Sequence, residues 1–165
     1  MRAIFPASFD PITNGHLDIA TRASALFDEL VIAVYSSPDK RVLFSWEDRI
    51  SLVRASTAHL PKVRVEGFSG LMVEYAQSIG ARVVVRGLRA GSDFEGEFQM
   101  ALANRMLAPN LETICLIGSQ HLMFISSSRI KEIALLGGHV ADLVPPPVAE
   151  RMARLPRERT GGPGR

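Results

Sequence analysis

Cysteine and long apolar runs are scarce in this sequence. Cys115 is the only cysteine of 165 residues, so no disulfide can form within the chain, and a reducing compartment, the cytoplasm, is expected. Its apolar neighbours predict that Cys115 packs and does not react. The longest apolar stretches, such as LVIAVY at 30–35, are too short to cross a bilayer, and Pro6 and Asp10 interrupt any signal-peptide core. We therefore expect a cytoplasmic protein with no membrane partner.

Basic residues are concentrated at the C-terminal end. The chain carries a net charge of +2, but residues 150–165 hold five arginines and two glutamates, which leaves residues 1–149 at −1. A protein that binds nucleic acid through its phosphates would spread Lys and Arg over a folded face. No nucleic-acid partner is therefore expected. We predict one domain over residues 1–155, followed by a flexible basic tail at 156–165.

Short β-branched runs alternate with segments of helical periodicity. The predicted strands lie at 3–5, 30–35, 63–65, 82–87 and 113–118, and are expected to be buried on both faces because they show little alternation. The predicted helices lie at 16–27, 45–60, 71–79, 93–107 and after the serines at 126–128. This alternation predicts an α/β fold, a single doubly wound Rossmann-like domain with a five-stranded parallel sheet. Ligands of such sheets bind beyond the carboxyl ends of the strands.

The loop after the first strand lacks a G-x-G-x-x-G fingerprint, which counts against a nicotinamide-dependent enzyme. It contains instead the run Thr13-Asn14-Gly15-His16 at the start of a helix. Gly15 lets the backbone pass close to a ligand, and His16 at a helix N-terminus can donate a hydrogen bond to a phosphoryl oxygen. A surface histidine in an ordinary turn is the alternative that the spacing leaves open.

The loop after the fourth strand contains two arginines. Arg86 and Arg89 lie three residues apart around a glycine, so both guanidinium groups can reach the same edge of the sheet and hold phosphate oxygens. The alternative is a structural ion pair with Asp93 or Glu97. Spacing alone does not separate the two interpretations.

Two further loops add groups suited to anions. Three serines at 126–128 precede the last predicted helix, where one N-cap suffices, and this indicates either a second anion site or redundant capping. Lys40 lies in the loop after the second strand. It is either another cation of the site or an ordinary solvated lysine. Several cations at one sheet edge without a fixed base are typical of nucleotidyl transfer, in which negative charge accumulates on phosphorus.

Three stretches together resemble one family. TNGH is similar to the T/H-x-G-H signature of the nucleotidyltransferase superfamily, and PASFDPITNGH, RGLRAGSDFE and ISSS resemble bacterial phosphopantetheine adenylyltransferases, in order, over roughly residues 1–148. The resemblance implies transfer of AMP from ATP to 4′-phosphopantetheine, which yields dephospho-coenzyme A and pyrophosphate in coenzyme A biosynthesis. It also implies a homohexamer, coenzyme A as a feedback ligand, and Mg²⁺ held mainly through the ATP phosphates and not by a protein metal site.

The resemblance assigns roles residue by residue. His16 matches a transition-state stabiliser, and Lys40 and Arg89 match further catalytic positions. The 4′-phosphopantetheine side would comprise Ser8, Lys40, Met72, Arg86, Asn104 and Glu132. The ATP side would comprise Ser8, Phe9, His16, Gly87, Leu88, Arg89, Glu97, Leu122, Met123, Phe124, Ile125, Ser126, Ser127 and Ser128. Three residues depart from the pattern. Ala7 stands where the family usually has glycine, Gly96 where an aromatic is common, and His139 where an aspartate is usual after two glycines.

Two other functions remain open from the sequence. One is a different transferase of the superfamily, such as a nicotinate mononucleotide adenylyltransferase, which the arginine pair and the short chain disfavour. The other is a nucleotide-binding module without catalysis, which His16 and Lys40 disfavour. Turnover with each acceptor separates the three functions.

Overall fold

A parallel sheet forms the centre of the computed structural model, which describes residues 1–36, 38, 41–89 and 91–155. Its strands are β1 (Arg2–Ala7), β2 (Glu29–Tyr35), β3 (Val63–Phe68), β4 (Val83–Leu88) and β5 (Glu112–Ile117). The helices found in these ranges are α1 (Asn14–Leu26), α2 (Trp46–Thr57), α3 (Met72–Ser78), α4 (Gly91–Leu107), α5 (Ser127–Leu135) and α6 (Pro146–Ala153). The predicted doubly wound, five-stranded Rossmann-like fold is confirmed. Lys40 and the tail at 156–165 lie outside the described residues.

The strands are parallel and lie in the order β3-β2-β1-β4-β5. From β1 the chain adds β2 and β3 on one side, and then crosses to add β4 and β5 on the other side, so the switch point lies between β1 and β4. β1 pairs with β2 along its whole length, from Arg2 opposite Glu29 to Ala7 opposite Val34. With β4, β1 is in register only at Ala3 and Ile4. The two strands therefore part toward their carboxyl ends, which opens a crevice at the point where ligands bind in folds of this kind.

The central strands are buried on both faces, as predicted. Phe5 of β1 belongs to the larger core, which α1, α2, α5 and α6 help to enclose, whereas its neighbour Ile4 belongs to a smaller core that includes residues of α3. Successive strand residues point to opposite faces, so one apolar run serves both cores. Helices on the two sides thus fix the central strands, and with them the loops at their carboxyl ends.

The expectation of two-sided burial is wrong for both edge strands. In β3, residues 63–67 are partly buried or exposed, and Phe68 alone is buried. The same correction applies to β5. This strand lies at the edge of the sheet, and most of its residues are exposed, including Ile117 at 67% and the single cysteine, Cys115. Cys115 therefore does not pack in the core, contrary to the prediction. Partial desolvation and the nearby carboxylate of Glu97 nevertheless raise the pKa of its thiol, which disfavours the reactive thiolate.

One face of α4 presents apolar side chains to solvent. Phe94, Phe98, Leu102 and Met106 recur every fourth residue and are all more than half exposed. The rings of Phe94 and Phe98 stack with centroids 5.9 Å apart. A continuous apolar ridge of this kind is typical of a surface that contacts another protein.

The helix α6 was not among the predicted elements. Its first turn is rich in proline, which is well suited to the first position of a helix. Val148 and Met152 pack into the larger core, and Arg151 pairs with Asp48 of α2 at 3.2 Å. Within the described ranges, no helix has the length and apolar character needed to cross a membrane.

Two glycine substitutions are expected to change stability in opposite directions. A Cβ on Gly67 of β3 would lie 2.5 Å from Trp46 Cζ2 and 2.7 Å from Ile50 Cδ1, so Gly67→Ala should lower the free energy of unfolding by about 1–3 kcal/mol. A Cβ on Gly96 of α4 would meet nothing within 4 Å, so Gly96→Ala should raise it by up to about 1 kcal/mol. Urea denaturation measures both changes. A Gly67→Ala variant as stable as wild type would contradict the close packing of α2 on β3.

Candidate functional site

Two cavities open at the carboxyl edge of the sheet, each with a volume of about 510 Å³. The first cavity lies among β4, the start of α1, α4 and the start of α5. The second cavity lies among the ends of β1, β2 and β3, the start of α3 and the other side of α4. Ala7 and Arg86 line both cavities, so the two spaces adjoin at these residues.

His16 is held in place by a capping box at the start of α1. The hydroxyl of the N-cap, Thr13, accepts a hydrogen bond from the backbone N–H of His16 at 3.2 Å. In return the backbone N–H of Thr13 donates to Nδ1 of His16 at 3.1 Å. Because Nδ1 is an acceptor, the neutral ring carries its proton on Nε2. The surface-histidine alternative is therefore wrong, since His16 is half-buried and lines the first cavity.

The surroundings of His16 keep its ring neutral. Desolvation, followed by the charges of Arg89 and Arg86, lowers the pKa of His16 from 6.5 to about 4. The ring also packs edge-on against Phe9, with centroids 5.1 Å apart. At neutral pH the side chain is a weak base and a fixed hydrogen-bond donor, as a group that stabilises developing negative charge should be.

Arg86 makes the structural ion pair that spacing left open. Its Nε and Nη2 donate to the two carboxylate oxygens of Glu97 at 2.6 and 2.7 Å, and its Nη1 donates to the carbonyl of Pro6 at 2.7 Å. This bidentate geometry is among the strongest that side chains form. Arg86 thereby joins β4, β1 and α4 at the boundary between the two cavities.

Arg89 is held more loosely than Arg86. Its Nε donates to Asp93 at 3.2 Å, and its Nη1 donates to the carbonyl of Ile125 at 3.0 Å. The side chain remains 43% exposed and lines the first cavity. Its positive charge is therefore accessible to an anion there, and the ion pair and the phosphate-binding role are compatible.

The three serines before α5 have three different environments. Ser126 is the N-cap and accepts a hydrogen bond from the backbone N–H of Arg129. The hydroxyl of Ser127 donates to the carbonyl of Pro11 at 2.8 Å and so ties α5 to the loop after β1. In the described part of the chain, the Ser128 hydroxyl makes no hydrogen bond, and all three serines line the first cavity. Capping therefore accounts for one serine of the three, and the anion site stays a prediction.

Comparison with known proteins places the chain in a family. The sequence model of the cytidylyltransferase-like family matches residues 4–133. A phosphopantetheine adenylyltransferase from Herpetosiphon aurantiacus is 60% identical over 147 residues, which cover 89% of each chain. One from a Roseiflexus species is 53% identical over 152 residues, covering 92% of this chain and 95% of the relative. The chain belongs to the phosphopantetheine adenylyltransferase family.

Solved structures support the same fold. A crystal structure from Vibrio parahaemolyticus, named as a candidate nicotinate-nucleotide adenylyltransferase, has a TM-score of 0.70 and covers 93% of this chain and 98% of its own. At 20% identity it is similar in fold alone. The predicted membership of the phosphopantetheine adenylyltransferases therefore rests on the sequence relatives, which confirm it.

The structure brings most of the residues expected from the family together. Besides the residues described above, Gly87, Leu88 and Leu122 line the first cavity, and Ser8, Met72 and Asn104 line the second. Gly87 also has a packing role, since a Cβ there would lie 3.1 Å from Ile19 Cγ1 of α1. Asn104 is a buried polar residue of α4.

Some expected residues lie elsewhere. Phe9 is buried against the ring of His16. Phe124 and Glu132 are exposed and, like Met123, do not line either cavity of this chain. Lys40 lies outside the described residues. The roles that the resemblance assigns to all the site residues stay predictions.

Sequence reasoning missed Asp10, which holds the loops of the site together. Its buried carboxylate accepts hydrogen bonds from the backbone N–H groups of Leu43 and Phe44 at 2.8 to 3.0 Å and pairs with Lys131 of α5 at 2.8 Å. The carboxylate of Asp10 therefore connects three elements: the loop after β1, the loop before α2, and α5. An acidic residue between Phe9 and Pro11 was the only signal in the sequence, and nothing there indicated partners more than 30 residues away.

His16 is expected to titrate with a pKa of about 4 in the folded protein, against 6.5 in the unfolded chain. Between pH 6.5 and pH 4 the unfolded chain binds a proton that the folded state disfavours. The free energy of unfolding is therefore unaffected by His16 above pH 6.5 and decreases as the pH falls through 6.5 toward 4. NMR titration of the imidazole carbons measures the pKa directly.

The same shift is expected to appear in pH-dependent denaturation. A His16→Gln variant should lose less free energy of unfolding than wild type between pH 6.5 and pH 4.5, because it lacks the group whose protonation opposes folding. His59→Gln, which removes an exposed histidine, is the matched control. Identical pH profiles for wild type and His16→Gln would contradict the assigned environment.

Proposed function

We propose that this chain transfers the AMP moiety of ATP to 4′-phosphopantetheine, releasing pyrophosphate and forming dephospho-coenzyme A. The observation that carries the proposal is the pair of cavities that adjoin at Ala7 and Arg86, because each is lined by residues that the family resemblance assigns to a different substrate. Relatives at 48–60% identity that bear the name phosphopantetheine adenylyltransferase support the choice of acceptor.

ATP is placed in the first cavity. The N-terminus of α5, with Ser127, Ser128 and the exposed guanidinium of Arg89, suits the β- and γ-phosphates, since helix N-termini and hydroxyls bind anions. The N-terminus of α1 with His16 suits the α-phosphate. A Cβ on Gly15 would make only ordinary contacts with protein atoms, the nearest at 3.5 Å, so the absence of a side chain there is explained by the approach of a ligand and not by packing.

The acceptor is placed in the second cavity. Apolar side chains such as Met72 and Leu107 form much of its wall, and Asn104 adds one buried amide, a combination that suits the partly apolar pantetheine arm. The phosphate of the acceptor lies at the Ser8 and Arg86 end, beside the first cavity. Lys40, which follows β2 in the sequence, is proposed to bind the same phosphate.

The reaction needs alignment more than acid–base chemistry. A phosphate oxygen of the acceptor attacks the α-phosphorus of ATP, a new P–O bond forms, and the bond to the bridging oxygen breaks so that pyrophosphate leaves with the electron pair. The attacking phosphate is already an anion at neutral pH, so no general base is required. His16 donates its Nε2–H to an α-phosphate oxygen on which charge grows in the transition state.

Mg²⁺ is the proposed cofactor, bound with ATP. Both carboxylates that line the first cavity are engaged, Glu97 by Arg86 and Asp93 by Arg89. Across the described residues there is no cluster of three or more side chains suited to a metal ion. The oxygen donors that remain are the serine hydroxyls and the triphosphate itself, a set that Mg²⁺ accepts while keeping several waters. When bound, the ion neutralises phosphate charge.

A homohexamer in the cytoplasm is the proposed assembly and location. The exposed apolar ridge of α4 supports a contact with further copies of the chain, and the molecular mass by analytical ultracentrifugation tests it. Coenzyme A is the proposed feedback ligand, since it carries both the pantetheine and the adenylate groups for which the two cavities are suited.

The acceptor is decided by pyrophosphate release. Purified protein with ATP and Mg²⁺ should release pyrophosphate with 4′-phosphopantetheine and not with nicotinate mononucleotide, because only the former has the apolar arm that fits the second cavity. Release with nicotinate mononucleotide alone would favour the other transferase. ATP binding without release in either case would favour a nucleotide-binding module.

His16→Ala separates transition-state stabilisation from ground-state binding. We expect kcat to fall by about 100-fold or more while the Kd for ATP changes by about threefold or less, because the lost hydrogen bond forms mainly in the transition state. Steady-state kinetics and calorimetry measure the two quantities, with the exposed His59→Ala as control. Unchanged kcat would remove His16 from the mechanism.

A further inference from the structure

Arg49 of α2 is completely buried, yet it carries a charge. Its Nη1 donates to the carbonyls of Ser8 at 2.6 Å and Tyr35 at 2.8 Å, and its Nη2 donates to the carbonyl of Ser36 at 2.8 Å. Among the described residues, its Nε has no hydrogen-bond partner, and no carboxylate lies within ion-pair distance of its guanidinium. Backbone carbonyls thus accept all the hydrogen bonds that its guanidinium makes to the described residues.

A buried charge opposes folding when no opposite charge lies close to it, and this is the situation of Arg49 among the described residues. Desolvation lowers the pKa of Arg49, and the longer-range charges of Asp10 and Glu47 oppose that effect only in part. An apolar residue of similar volume would fill the same space at a lower desolvation cost. Packing alone therefore does not explain an arginine at this position.

The three carbonyls that Arg49 binds lie at the functional edge of the sheet. Ser8 directly follows β1, Tyr35 ends β2, and both line the second cavity. A carbonyl oxygen accepts hydrogen bonds and repels a phosphate. The guanidinium binds these oxygens from inside the protein, beside the place where an anionic acceptor must lie.

We propose that Arg49 is a positioning residue of the acceptor site, which holds the ends of β1 and β2 at a fixed spacing and makes the edge of the second cavity favourable for a phosphate. The inference rests on the proposed function. Arg49 contacts neither substrate; it acts through the backbone of Ser8 and Tyr35 and through its charge.

Binding of two acceptors that differ by one phosphate tests the proposal. Calorimetry compares 4′-phosphopantetheine, pantetheine and ATP on wild type, Arg49→Met, Arg49→Lys and Arg54→Met. Arg54 is the matched control, since it lies on the same helix and binds one carbonyl, that of Val65, but is exposed. Urea denaturation of each variant reports its folding.

In Arg49→Met the preference for 4′-phosphopantetheine over pantetheine should fall by about tenfold, because a nearby buried charge is lost. Binding of pantetheine and of ATP should stay within about threefold of wild type. The kcat/KM for 4′-phosphopantetheine should fall by about 100-fold, as expected for a displaced substrate. Arg54→Met should match wild type in every measurement.

Several outcomes overturn the proposal. Equal losses for both acceptors, or a comparable loss for ATP, would assign Arg49 a purely structural role, and so would a wild type without any phosphate preference. If Arg49→Met does not fold, Arg49→Lys tests the proposal, since lysine keeps the positive charge and loses the planar set of guanidinium donors. It should retain the phosphate preference and lose kcat/KM, and wild-type kcat/KM would refute positioning. Absence of pyrophosphate release by the wild type counts against the proposed function, whereas the binding preference still reports on Arg49.

Discussion

The ion pair between Arg86 and Glu97 lies where the two cavities meet, and the arrangement of the site depends on it. β1 and β4 are in register only near their beginnings, so their carboxyl ends need another connection. Arg86 provides it by binding Glu97 of α4 with two donors and the carbonyl of Pro6 with the third. Loss of this connection would affect both cavities at once, because one side chain forms part of the wall of each.

Contacts within the protein orient the polar groups of the site. Desolvation, together with the charges of Arg89 and Arg86, lowers the pKa of His16 and keeps its ring neutral, and the capping box directs the proton of that ring to Nε2. Each arginine is oriented by a carboxylate, which limits the repulsion between like charges and fixes their geometry. Asp10 and Arg49, both buried, hold the neighbouring loops from behind. The donors are therefore positioned in advance, which reduces the reorganisation required during the reaction.

Four elements show which features of the fold could be predicted from the sequence. The apolar runs at 30–35 and 82–87 lead correctly to β2 and β4, because parallel strands covered on both sides have no polar face to show. The same pattern at 113–118 leads correctly to β5 but wrongly to its burial, since an edge position depends on strand order. The helix α6 was not predicted, and it is stabilised by packing against α2 and the core, which the local sequence does not show.

The sequence by itself determined the alternation of strands and helices, the family, and the loops that carry His16, the arginines and the serines, since these depend on local periodicity and on motifs read along the chain. Only the tertiary structure decided that Arg86 pairs with Glu97 and Arg89 with Asp93, and that one serine of three caps α5. It also decided that Arg49 is buried beside the ends of β1 and β2. Those outcomes depend on which side chains meet through space, and a charge has no preferred partner until the fold sets the distances and excludes water.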